Sequence, residues 1–213
     1  MRDMRCLSNE SGVTLVELMV VLVLSMLLMG AVYMTFQLQH SSARAQTDVS
    51  AVQNDIRVAI DIVALDIMHA GLSTNPSRRI PGIPGGTSGA HTLTLQMDVD
   101  QDGALTSAGE IIVYSLDADG NLVRNDPNAG VTHVVANGVT ALEFRYRGVT
   151  SAGVIQDIDP GAGTLDDAQA GAVRLVNVTI TKQADRVDSQ TGNPIQRTLS
   201  RWIARRNGAI EAL

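Results

Sequence analysis

The chain has 213 residues, of which 45% are hydrophobic, 18% are charged and only 3% are aromatic, with a net charge of −6. This length and hydrophobicity fit one domain with an appendage and exclude a chain that is disordered throughout, while the acidic balance argues against a general nucleic-acid-binding protein. The single cysteine, Cys6, excludes an internal disulfide framework and a cysteine-based zinc site.

The most apolar part of the sequence is segment 13–36, whose only charged residue is Glu17. A helix over this segment would be about 36 Å long, enough to cross the hydrocarbon core of a bilayer. A buried core helix of this length would show a polar face, and this segment has none. A cleaved secretory signal would be shorter and would end in a small-residue cleavage site. Because Arg2 and Arg5 precede the segment, we predict a single membrane-spanning helix with a cytoplasmic N-terminus.

Glu17 is the anomaly of this segment. A lone carboxylate inside an apolar span costs on the order of a few kcal/mol and is usually retained for a function. Two interpretations stay open from physics alone. The carboxylate either reaches the headgroup region from near the end of the segment or meets a cation in the same apolar environment.

The run Gly12-Val13-Thr14-Leu15-Val16-Glu17-Leu18, followed by apolar residues, resembles the cleavage and methylation signature of type IV pilins and type II secretion pseudopilins. The resemblance implies that a prepilin peptidase cuts between Gly12 and Val13 and methylates the new amine of Val13. It also implies that Glu17 pairs with the N-terminal amine of a neighbouring subunit. The sequence departs from the family pattern at Val13, where phenylalanine is usual.

After the apolar segment, residues 37–71 become more polar but keep helical spacing. The apolar positions recur at intervals of three and four: Val49, Val52, Ile56, Ile60, Val63 and Ile67. This pattern predicts an amphipathic continuation that ends near Gly71 and lies against a sheet; a coiled coil would need more heptads. The stretch 51–71 also resembles the segment after the anchor in PilW-like minor pilins and J-type pseudopilins.

From residue 72 onward the pattern changes to the twofold alternation of short strands. Alternation is clear in 91–97 and 142–147, and 110–116 resembles a more buried strand. With four further short segments, the sequence predicts six or seven strands: 122–124, 131–136, 172–181 and 195–204. We expect the glycine-rich stretches 76–90 and 159–171 to be mobile surface loops and Trp202 to lie in the core. The prediction is an α+β, pilin-like fold, in which a long N-terminal helix packs on an antiparallel head. Its parts are a leader (1–12), an anchor (13–36), a helix continuation (37–71) and a head (72–213).

The head contains half of a calcium-binding pattern. Asp98, Asp100, Asp102 and Gly103 occupy positions one, three, five and six of an EF-hand loop, where oxygens converge on a hard cation and glycine allows a sharp turn. Glu110 comes one position after the expected twelfth, so it could reach a Ca²⁺ ion only in another geometry. A polar hairpin loop with no ion is the alternative, and both stay open.

The remaining polar residues give no catalytic set. His40, His69, His91 and His133 have no nucleophile motif beside them, so no enzyme is predicted. Acidic residues collect in 98–126 and basic residues in 174–206. These stretches could meet oppositely charged surfaces of neighbouring pilins, the basic one could contact DNA phosphates, or both could be solvated surface.

These features predict the precursor of a minor pilin. We expect prepilin peptidase to process it in the bacterial inner membrane, with the head in the periplasm, before it joins other major and minor pilins in a type IV pilus or initiates one. A minor pseudopilin of a type II secretion system stays open as an alternative. From another class, so does a membrane-anchored, calcium-dependent binding module.

Overall fold

The computed structural model describes residues 12–73, 79–149, 153–161, 163–187 and 192–207. Contacts divide the chain into two units, Met1–Gln46 and Thr47–Leu213. The first element is helix α1 (Leu15–His69), which supplies residues to both units. No proline interrupts its sequence, and Gly71 follows its end with a φ of +80°, a conformation that favours glycine at a helix C-terminus.

In the first unit, every large hydrophobic side chain from Leu15 to Leu38 is exposed. This part of α1 is long and apolar enough to cross a membrane. A continuous apolar surface of this size needs lipid or other apolar helices around it. The prediction of an apolar N-terminal helix with no polar face is confirmed.

The second unit contains the rest of α1, two sheets and a short helix. The strands and the second helix are β1 (Leu93–Gln96), β2 (Ile111–Leu116), β3 (Leu122–Asp126), β4 (Val131–Ala136), β5 (Val139–Val149), β6 (Ile155–Ile158), α2 (Asp167–Ala172), β7 (Val173–Val187) and β8 (Pro194–Ala204). One sheet has the order β1-β2-β3-β4 and the other β6-β5-β7-β8, and all the pairings are antiparallel. The predicted α+β architecture, a long helix packed on antiparallel sheets, is confirmed.

The core of the second unit lies between α1 and the sheets. The apolar stripe of α1 is buried at Val52, Ile56, Ile60, Val63 and Ile67. In β5 the predicted alternation holds, because Leu142, Phe144 and Tyr146 are buried while Glu143 and Arg145 are not. Side chains from every second position of the strands thus pack on side chains that recur every three or four residues along the helix.

Polar contacts also join α1 to the head. Lys182 in β7 is only 6% exposed, and its Nζ lies 2.7 Å from Asp55 Oδ2 and 2.8 Å from Asn137 Oδ1. On the helix surface, Arg201 in β8 donates to Asp61 Oδ1 at 2.6 Å. The pair with Asp61 is exposed on both sides, so it contributes little, about 1 kcal/mol at most.

The expectation of surface loops is wrong for the first of the two stretches, which is partly buried in the described residues. In the first stretch Ile80, Ile83 and Ser88 are buried. Glycine there allows close packing: a Cβ on Gly82 would lie 2.6 Å from the backbone of Ala70. Residues 76–78 lie outside the described residues.

The second of these stretches, 159–171, contains most of α2. The helix begins with a capping box, in which Asp166 accepts from the Gln169 backbone and the Gln169 side chain accepts from the Asp166 backbone. Ala170 within this helix and Leu165 just before it are buried. A six-residue helix is too short for its periodicity to stand out in the sequence.

Two other expectations also need correction. Strand β6 was not predicted, because its residues are mostly exposed and it therefore lacks the alternation of a half-buried strand. Trp202, expected in the core, is 38% exposed. The guanidinium carbon of Arg147 lies 4.3 Å from the centroid of its ring, so a cation–π contact covers the indole in place of apolar packing.

Candidate functional site

The predicted cleavage bond, Gly12–Val13, lies just before the first turn of α1. Thr14 caps this helix: its Oγ1 accepts from the Glu17 amide at 3.2 Å and its carbonyl accepts from the Leu18 amide at 3.1 Å. Val13 is 70% exposed. A Cβ on Gly12 would meet no described atom within 4 Å. Packing within the described chain therefore does not require glycine at this position.

Glu17 lies in the first turn of α1, and its side chain is exposed among apolar neighbours. Its negative charge is favourable there, because the helix dipole is positive at the N-terminus. Within the described residues no cation pairs with its carboxylate. A basic partner for Glu17 would therefore have to come from elsewhere, as the predicted pairing with a neighbouring subunit requires.

A second candidate site lies in the loop that joins β1 to β2. One oxygen from each of four carboxylates lies within 4.8 Å of the others, and we call this group the acidic cluster: Asp98, Asp100, Asp102 and Glu110. The Met97 amide donates to the Glu110 carbonyl at 2.9 Å. This bond closes the hairpin and brings Glu110 beside Asp98, although Glu110 is one position later than an EF-hand loop requires.

Backbone amides orient the carboxylates of the acidic cluster. In each of these hydrogen bonds the backbone amide of the first residue donates to a carboxylate oxygen of the second: Gly103 to Asp98 Oδ2 (3.1 Å), Asp102 to Asp100 Oδ1 (3.1 Å), Ala104 to Asp102 Oδ1 (2.6 Å), Val99 to Glu110 Oε1 (3.2 Å) and Ser107 to Glu110 Oε2 (2.7 Å). Gly103 has a φ of +80°, in keeping with the sharp turn expected at this glycine. Asp98 and Glu110 are fully buried, whereas Asp100 and Asp102 are exposed.

Ser107 contacts the acidic cluster, although nothing in the sequence marks it. Its hydroxyl donates to Asp100 Oδ2 at 2.5 Å, and this bond is the main reason that the pKa of the Asp100 carboxyl lies below its ordinary value. The hydroxyl of Ser107 therefore favours the charged form of Asp100. Serine in a polar loop is too common to signal such a role, so the sequence offered no basis for choosing it.

The basic stretch 174–206 does not form one exposed patch in the described residues. Lys182 and Arg205 are buried, and Arg201 pairs with Asp61. Burial and the nearby charge of Arg174 lower the pKa of Arg205 to about 10. These placements reduce the positive surface that could contact DNA phosphates.

The fold defines a class of protein: a β-rich head that follows a long helix, whose N-terminal half suits a membrane. Residues 7–33 match the family described as the prokaryotic N-terminal methylation motif. This match supports a type IV pilin-like precursor that prepilin peptidase processes and that assembles with other pilins, and the proteins of this class are structural rather than enzymatic. The motif and the apolar helix fit anchoring in the inner membrane. No curated protein matches the sequence.

Proposed function

We propose that this chain is the precursor of a minor pilin, which enters or initiates a type IV pilus after cleavage between Gly12 and Val13. In this proposal residues 1–12 are the leader, 13–36 the anchor and filament-core helix, 37–71 the helix continuation and 72–213 the head. Before assembly the N-terminus is cytoplasmic and the head periplasmic. Methylation falls on the amine of Val13.

The observation that carries the proposal is the exposed apolar part of α1, with the lone carboxylate of Glu17 near its start. In a pilin subunit this surface would contact lipid before assembly and the apolar helices of other subunits in the filament. A membrane anchor alone would account for the apolar residues, and it would account for Glu17 only if the carboxylate reaches the headgroup region. Pairing with the amine of a processed neighbour gives that carboxylate a partner of opposite charge in the filament.

The test is Glu17→Gln in the native host, followed by measurement of processing and of the amount in sheared filaments. We expect normal cleavage and a severalfold lower amount in filaments, because the amide keeps the size of the side chain and loses its charge. The matched control is Ser25→Ala, which removes a polar group from the same segment. Ser25 bonds only to its own helix, at Leu22 O, among the described residues, so this variant should assemble normally. Wild-type incorporation of Glu17→Gln would contradict the proposal.

A type II secretion pseudopilin would share every N-terminal feature described above. Deletion of the gene separates the two functions. Fewer pili with normal protein secretion would support the minor pilin, whereas normal pili with secretion substrates retained in the periplasm would identify a pseudopilin.

A membrane-anchored, calcium-dependent binding module is favoured by one observation, the convergence of the acidic cluster. Such a protein would keep residues 1–12 and would not enter filaments. Detection of the uncut chain in membranes and its absence from the sheared filament fraction would support this function over the minor pilin.

A further inference from the structure

One buried atom in the β1–β2 loop lacks a partner. Asp98 is fully buried, and its Oδ1 has no hydrogen bond in the described structure, although its Oδ2 accepts from the Gly103 amide. A buried carboxylate oxygen without a donor is costly because it has lost its water and gained nothing in exchange. Proteins satisfy such groups with hydrogen bonds, charges or metal ions.

The neighbours of Asp98 increase the free-energy cost of burying its carboxylate. Three further carboxylates of the acidic cluster share its site, and one of them, Glu110, is also fully buried. The ion pairs among the described residues use other acids: Asp55, Asp61, Asp66, Glu143 and Asp157. Ionised carboxylates at this separation repel one another, and a cation between them would remove that repulsion.

We propose that the acidic cluster binds one Ca²⁺ ion and that Asp98 Oδ1 is one of its ligands. All four donors are carboxylates, which suits a hard cation and not zinc or copper, for which nitrogen and sulfur donors are usual. The amide bonds leave lone pairs on the carboxylate oxygens, so these can orient a side chain and coordinate a metal ion together. Exposure of Asp100 and Asp102 leaves a path for entry and room for water ligands.

The ion would stabilise the head because the loop is tied to other elements. The Gly109 amide donates to Asp126 Oδ2 at 2.6 Å at the end of β3, and Asn128 Nδ2 donates to the carbonyls of Leu105 and Ser107. Calcium that draws the acidic cluster together would therefore stabilise the β1–β2 loop and the β3–β4 turn as one structure. This inference concerns the head and is independent of the proposed assembly function.

The experiment is calorimetric titration and thermal unfolding of the full chain in detergent, after chelator treatment, with CaCl₂ or MgCl₂ as the probe. We expect binding of one Ca²⁺ and a rise in Tm of about 5–10 °C at a hundredfold excess over Kd. Mg²⁺ at the same concentration should give a much smaller rise, because it demands tighter octahedral geometry. The absence of Ca²⁺ binding, or equal effects of the two ions, would overturn the proposal.

The Tm of the variant Asp98→Asn, measured in chelator and in CaCl₂, distinguishes a calcium ligand from a residue that is only structural. In chelator its Tm should equal or exceed that of the wild type, because one of four clustered charges is gone and the amide can donate to a neighbouring carboxylate. In CaCl₂ the rise in Tm should be lost. The control is Asp119→Asn, the same change in a turn outside the cluster, which should keep the full calcium response. A full response in Asp98→Asn would refute the assignment of Asp98 as a ligand.

Discussion

The hydroxyl of Tyr114 in β2 donates a hydrogen bond to Asp66 Oδ2 in α1 at 2.6 Å, and Arg124 Nε in β3 donates to the same oxygen at 2.7 Å. Tyr114 is fully buried. One carboxylate of the helix therefore fixes two strands of the first sheet. A hydrogen bond to a charged group contributes about 1.5–3 kcal/mol, more than one to a neutral group.

Loss of this hydroxyl should destabilise the head more than loss of a comparable one. We expect Tyr114→Phe to lower the free energy of unfolding by about 1.5–3 kcal/mol. The matched variant is Tyr146→Phe, whose hydroxyl donates to the neutral carbonyl of Gly89 at 2.7 Å and should cost about 0.5–1.5 kcal/mol. Urea unfolding of both variants measures the difference. An equal cost, or a larger one for Tyr146→Phe, would contradict the role of Asp66.

The same tyrosine predicts an alkaline limit to stability. Burial, and next the charge of Asp66, raise the pKa of Tyr114 far above its ordinary value of about 10. In the unfolded chain Tyr114 loses its proton near pH 10, while in the folded head it keeps it. Its contribution to stability is therefore complete below pH 10 and declines above it, by up to about 1.4 kcal/mol per pH unit.

Unfolding measured from pH 9 to 11.5 checks this slope. Burial also raises the pKa of Tyr146, so Tyr114→Phe should reduce the alkaline slope without removing it. An unchanged slope in Tyr114→Phe would show that Tyr114 does not keep its proton in the folded head.

Glycine at position 82 should be required for packing, whereas glycine at 171 should not. A Cβ on Gly82 would lie 2.6 Å from the backbone atoms Ala70 C and Gly71 N, which cannot move aside as a side chain could. Gly82→Ala should therefore lower stability by about 1–3 kcal/mol. A Cβ on Gly171 in α2 meets no described atom within 4 Å, so Gly171→Ala should be neutral or stabilise by about 0.5–1 kcal/mol. Thermal unfolding of both variants provides the comparison, and equal Tm values would contradict the close packing at Gly82.

The sequence predicted those elements whose residues repeat with a clear period. Ile56, Ile60, Val63 and Ile67 mark the buried face of α1, and the alternation from Leu142 to Tyr146 marks β5. The sequence did not predict the parts of the structure that depend on contacts between distant segments. In the sequence Gly82 is only one glycine of a glycine-rich stretch, and nothing there shows that it packs closely on Ala70. Strand β6 is exposed and shows no alternation.

The candidate sites divide in the same way. Gly12, Val13 and Glu17 form a local motif, and its resemblance to the pilin signature is what predicts their roles. For the acidic cluster, spacing predicted Asp98, Asp100 and Asp102, but the position of Glu110 depends on closure of the β1–β2 hairpin. No spacing rule shows that Asp98 and Glu110 are buried while Asp100 and Asp102 are exposed, and this burial is the main argument for the calcium site.

The central claim, processing of a pilin-type precursor, is tested most directly by intact mass and N-terminal sequencing of the protein from its native membranes. We expect a chain that begins at Val13 and carries one methyl group on its amine. A chain that still carries residues 1–12 in cells with an active prepilin peptidase would contradict it.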